Sequence, residues 1–222
     1  MTTRFVRSFT PLAVAALGIS AATLVLPACD STPSDRGSGG STGGDASAVM
    51  ESDTPEGLLA SLKAAARQSL PGYYDALRAA TDCDALPEMC RLLSARAESA
   101  RELIALRNAM VEKYGDEGEA AGAEMLRGAF LEEYEAIERA SVFAGSGTIA
   151  ILRIGTAVYR MRDLPTGWRI VQFPDPPYDP AASADAIDIV VVRAHGIRRD
   201  IERGRIPTLQ DLELRLASLA GG

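Results

Sequence analysis

From residue 55 to 141 the apolar positions recur at three- and four-residue spacings, the period of a helix with one buried face. Thr54 in front of Pro55 is a start signal, and Leu58, Leu59, Leu62, Ala65 and Ala66 follow, predicting a helix over 55–68. The stretch "LPGYYDALRAAT" predicts a short second helix from near Pro71. Leu93, Ala100, Leu103, Ile104, Met110, Val111 and Tyr114 then form the longest stripe, over 87–114, and Gly115 fits its C-terminal cap. Ala123, Leu126, Phe130, Tyr134 and Ile137 predict a further helix over 117–141.

After "FAGSG" the pattern changes. "TIAILRI", "TAVYRMRD" and "GWRIVQF" are short runs rich in β-branched and aromatic residues, separated by Gly155 and by the turn-forming "DLPTG". They predict a three-stranded antiparallel meander, with Trp168 and Ile170 on one face and Arg169, Val171 and Phe173 on the other. The prolines of "PDPPYDP" end the last strand, because proline lacks a backbone donor. Ile187, Val190, Val191, Ala194, Ile197 and Ile201 return to helical spacing, which outweighs the β-branched look of "IDIVVV". Thr208 followed by Asp211 resembles a capping box, and Leu209, Leu212, Leu216 and Leu219 give a last amphipathic helix. The expected fold is α+β: one mostly helical domain over 53–222 with a small three-stranded sheet.

The first 28 residues read differently. Arg4 and Arg7 precede an apolar run from Pro11 to Leu26 with no acidic residue, the layout of a secretory signal peptide. Leu26, Pro27, Ala28 and Cys29 follow it and resemble the lipobox of bacterial lipoproteins. In that family the signal peptide is cut before the cysteine, its sulfur receives a diacylglycerol, and the new amino terminus is acylated. The resemblance therefore implies lipidation at Cys29, attachment to a membrane, and a domain facing the periplasm or the exterior. Each buried methylene contributes about 0.8 kcal/mol, so one chain holds marginally and two or three hold stably.

Charge and composition fit such a placement. Removing residues 1–28 takes away two arginines and no acid, which moves the formal charge from −7 to −9. A chain that acidic is a poor nucleic-acid binder by phosphate neutralisation. Residues 29–52 are Gly-, Ser-, Thr- and Asp-rich with little to bury, and they read as a flexible tether with a typical reach of about 26 Å. The pair of strands closing on "TGWRIVQF" looks like the closing hairpin of nuclear transport factor 2-like domains, over 148–173. That resemblance implies helices covering one side of a curved sheet.

Cysteine chemistry follows from the same start. With Cys29 assigned to lipid, Cys83 and Cys90 are left as an even pair in an oxidising compartment, as a disulfide requires; the other reading is two buried thiols. With one histidine in the chain, a zinc site has little to draw on, and no metal or cofactor is expected.

Candidate chemistry is sparse. Arg193, His195, Arg198, Arg199, Arg203 and Arg205 cluster in "VVVRAHGIRRDIERGR". They form either an anion-binding face, for lipid headgroups, a cell-wall polymer or an acidic partner, or a solvated face paired with Asp200, Glu202 and other acids. Glu132, Glu133, Glu135 and Glu138 are the densest acidic cluster, with Glu135 placed to meet Arg139 and Glu124 to meet Arg127. One helix cannot converge carboxylates for acid–base work. Tyr73, Tyr74, Tyr159 and Trp168 are pocket candidates or core. "GSGT" at 145–148 lacks the rest of a phosphate loop, and neither GxSxG nor HExxH occurs. No catalytic residue is assigned. The expectation is a lipid-anchored envelope protein that binds a partner or small ligand. The alternatives are an envelope enzyme whose groups converge only in three dimensions, or an accessory protein with an apolar groove between its terminal helices.

Overall fold

The computed structural model describes residues 53–145, 147–174 and 179–220. Cys29, the segment before it and the tether lie outside the described residues. The described fold is α+β. Helices α1 (Pro55–Gln68), α2 (Leu70–Ala79), α3 (Pro87–Tyr114) and α4 (Asp116–Ile137) come first. Strands β1 (Ser141–Ala144), β2 (Ile149–Ile154), β3 (Ala157–Leu164) and β4 (Gly167–Gln172) follow, and α5 (Pro180–Glu202) and α6 (Leu209–Ala220) close the chain.

Local chemistry explains most helix ends. The Thr54 hydroxyl accepts from the Gly57 N–H at 3.0 Å and starts α1. Ser69 ends α1 and caps α2, its hydroxyl accepting from Gly72 N–H at 3.0 Å, so one extended residue joins two helices. The Thr208 hydroxyl accepts from the Asp211 N–H at 3.2 Å and donates to the Asp211 carboxylate at 2.6 Å. Proline does not hold back α5. Pro180 occupies its first turn, where no donor is needed, and Asp179 caps it by accepting from Ala181 N–H at 2.9 Å.

The sheet is an antiparallel meander in the order β1-β2-β3-β4, with four strands where three were expected. Helix α4 stops at Ile137 rather than 141, and a turn through Arg139 and Ala140 frees Ser141–Ala144 to pair with β2, Ser141 opposite Arg153 and Ala144 opposite Ala150. A run of four residues is too short for periodicity to mark it, and its pairing is decided by residues far along the chain.

A second correction concerns β4. The register passes from Met161 opposite Ile170 to Arg160 opposite Gln172, leaving Val171 as the extra residue of a bulge. Beyond the bulge the alternation reverses. Phe173 therefore packs against the core beside Trp168 and Ile170 instead of opposing them, and its ring meets Tyr159 edge-on at 5.2 Å.

Buried side chains fall into two clusters joined by α3. The first gathers Leu58, Leu62, Tyr73, Tyr74, Leu77 and Leu92 under the inner face of the sheet, which supplies Leu152, Met161, Trp168 and Ile170. The second holds Leu103, Leu106 and Met110 of α3 against Ala194, Ile197 and Ile201 of α5, with Ile206 and Leu212. Helix α5 runs beside α3 in the same direction. Arg91 pairs with Asp185 and Asp188 near their starts, Glu102 meets His195 and Arg198 farther on, and the Tyr114 hydroxyl donates to the Ile206 carbonyl at 2.8 Å. Helices α3 and α4 approach so closely that a Cβ on Gly118 would lie 2.1 Å from the Met110 carbonyl oxygen, and one on Gly122 would lie 2.6 Å from Arg107 Cγ.

Candidate functional site

The outer face of the sheet concentrates charge that the sequence reading left dispersed. Alternation in β2, β3 and β4 turns Arg153, Arg160, Arg162 and Arg169 away from the core, while Leu152, Tyr159, Met161, Trp168 and Ile170 turn in. The register sets Arg162 directly opposite Arg169, and Arg160 stands two residues from Arg162 along β3. Like charges directly across a sheet destabilise it. Among the described residues Arg153, Arg160 and Arg162 take part in no ion pair, and the Arg169 guanidinium donates to the Trp168 carbonyl at 2.9 Å.

Apolar side chains stand between these arginines. Phe143 is 53% exposed and lies 5.6 Å beneath the Arg153 guanidinium, and Val158 is 40% exposed. Ile149, Ile151 and Val171 are half-buried and join neither core cluster. At the β4 edge, Arg160 and Arg162 line a shallow depression of about 290 Å³ with Leu164, Val171, Gln172, Ala85 and Asp82. Asp82 is fixed there by backbone rather than by an arginine: its N–H donates to the Ile170 carbonyl at 2.9 Å, and the Ile170 N–H donates to the Ala80 carbonyl at 2.7 Å. These arginines were visible in sequence only as the polar half of each strand. Their convergence depends on register.

The arginine group on α5 is arranged otherwise. Arg198 is 22% exposed and held on both sides, by Glu102 at 2.7 Å and Glu202 at 2.8 Å. Those hydrogen bonds raise its pKa above the usual arginine value. His195 Nδ1 lies 3.0 Å from Arg198 Nη2, which can only donate, and 3.4 Å from Glu102 Oε2. Arg205 pairs with Asp200 at 3.3 Å. Arg199 and Arg203 are exposed with no ion pair among the described residues, and Arg193 is also exposed. The six are thus spread over α5 and the turn after it, and the most buried cation among them already has two carboxylates.

Other candidates resolve into structure. Cys83 and Cys90 are joined by a disulfide that ties the α2–α3 loop to the first turn of α3. Tyr73, Tyr74, Tyr159 and Trp168 are all buried in the core. Glu124 meets Arg127 at 2.9 Å, but Glu135 does not meet Arg139, because α4 ends at Ile137 and the one-turn geometry ends with it. Glu138 turns to Arg67 of α1, accepting from both Nε and Nη2 at 2.8 and 2.9 Å. That pair holds the Glu138 carboxyl below the ordinary glutamate pKa. A second depression, about 380 Å³, is lined among the described residues by Leu209, Gln210, Glu213 and Leu214 of α6. Among the described residues, no three His, Cys, Asp or Glu side chains are grouped to hold a metal ion.

No family model matches the chain, no curated protein matches it, and no solved structure matches it.

Proposed function

We propose that this protein is a lipid-anchored component of a bacterial cell envelope, tethered through Cys29, whose folded domain works by binding rather than by catalysis. The observation that carries the reading is the order of features at its start: a charged and then apolar leader, Leu26-Pro27-Ala28-Cys29, and a polar segment with little to bury. The Cys83–Cys90 disulfide supports it, since such bonds persist in oxidising compartments. The likeness of 148–173 to a nuclear transport factor 2-like closing hairpin supports a domain with helices on one side of a sheet and a face left for a partner. No described helix is long and apolar enough to cross a membrane, and the attachment proposed here rests on Cys29.

Metabolic labelling with a palmitate analogue tests the anchor. The wild type takes up label and fractionates with membranes, while Cys29→Ala loses the label. Label that persists in Cys29→Ala overturns the anchor.

A further inference from the structure

We propose that the outer face of the sheet, centred on Arg160 and Arg162, docks the domain onto the anionic headgroups of a lipid bilayer. The inference deepens the anchoring reading and rests on it for the domain's nearness to a membrane. Its chemistry stands on the sheet itself.

Three observations select this occupant. The chain carries a formal charge of −7, yet the outward-alternating positions of β2, β3 and β4 hold four arginines and no carboxylate, with Asp163 exposed on the other parity of β3 and Asp82 at the rim as the acids nearby. An anionic surface attracts that face and repels the acidic remainder, which orients the domain. The opposed Arg162 and Arg169 form no ion pair among the described residues, and phosphates seated between them would offset their repulsion. Finally, the arginines are interleaved with the exposed Phe143 and Val158. Aromatic and aliphatic groups beside arginines suit the boundary between headgroups and acyl chains, where the apolar part enters and guanidinium groups stay with phosphate. An acidic protein partner would use the same charges, and competition by polyglutamate separates it from a bilayer. A tether reaching about 26 Å lets the face touch the bilayer without stretching.

The test uses residues 30–222, which lack both the apolar leader and the lipidated cysteine, so that neither contributes to attachment, with vesicles of phosphatidylcholine alone or mixed with phosphatidylglycerol. In that background R160Q/R162Q weakens binding to the mixed vesicles roughly 25-fold, from about fivefold for each arginine. R160K/R162K keeps most of the binding. R199Q/R203Q, an equal loss of charge on α5, changes it less than twofold, and circular dichroism establishes that each variant is folded. A tryptophan placed by Phe143→Trp shifts its emission to the blue on mixed vesicles and not on phosphatidylcholine. The proposal is overturned if R160Q/R162Q and R199Q/R203Q lose binding equally, if both vesicle types bind alike, or if polyglutamate competes while vesicles do not bind. These outcomes are independent of the palmitate result, so loss of the docking face and loss of the anchor are separate findings.

Discussion

Glu102 shows how the α3–α5 seam manages charge. Its carboxylate is 15% exposed and receives Arg198 Nε at 2.7 Å, while Glu202, 48% exposed, takes the other side of the same guanidinium. Removing one partner from a desolvated cation costs more than the pair contributes net, because the remaining charge stays out of water. Glu102→Gln should therefore destabilise by about 1–3 kcal/mol, and Glu202→Gln by about 0.5 kcal/mol, as urea denaturation can measure. Equal losses would mean that depth at this seam does not matter. A related device lies one helix end away. Burial and then the nearby Asp211 charge raise the Tyr114 pKa above the ordinary tyrosine value, so the phenol stays neutral and donates to Ile206. The Arg198–Glu202 pair, one helix turn apart, was legible in sequence, whereas the contacts of Glu102 and Tyr114 were not. Glu102 and His195 are 93 residues apart, and only the parallel run of α3 and α5 brings them together.

At the scale of elements, what could be read was what is local. Caps declare themselves within a few residues, so Thr54-Pro55 and Thr208-Asp211 marked helix starts correctly. The helical stripe of α3 was equally plain, because its period runs over 28 residues. Strand β1 and the β4 bulge were hidden because both are properties of pairing, and Phe173 changed faces with the bulge. The end of α4 was missed for a similar reason. It is fixed from outside by α1, where Lys63 donates to the Glu138 and Ala140 carbonyls at 2.9 and 3.0 Å and Arg67 grips the Glu138 carboxylate. Cations at a helix C-terminus complement its dipole. Because the Glu138 carboxyl titrates below the ordinary value of 4.5, the clamp's contribution is full above that pH and is lost as pH falls through the lower folded value. The melting temperature of Glu138→Gln should lie below that of the wild type near neutrality, and the gap should close under acid. A gap that persists unchanged once the carboxyl is protonated in both states would assign it to packing instead.

For the whole molecule, the two buried clusters raise the question of whether they melt together. The first lies under the sheet and the second between the far halves of α3 and α5, and loops alone would leave them independent. Helix α3 runs unbroken through both, placing Leu92, Ala97 and Ala100 in one and Leu103, Leu106 and Met110 in the other. Fraying it at the midpoint would break hydrogen bonds inside a buried segment, so the clusters should unfold as one unit. Trp168, the only tryptophan, reports on the first cluster alone. Leu106 is fully buried in the second, and Leu106→Ala should cost about 2–5 kcal/mol there. If α3 couples the clusters, the Trp168 fluorescence transition shifts to lower urea by as much as the far-ultraviolet circular dichroism transition does. A fluorescence midpoint left in place while the dichroism splits into two phases would show that the halves fold separately. The sheet and its arginine face would then be a module independent of the α5–α6 end.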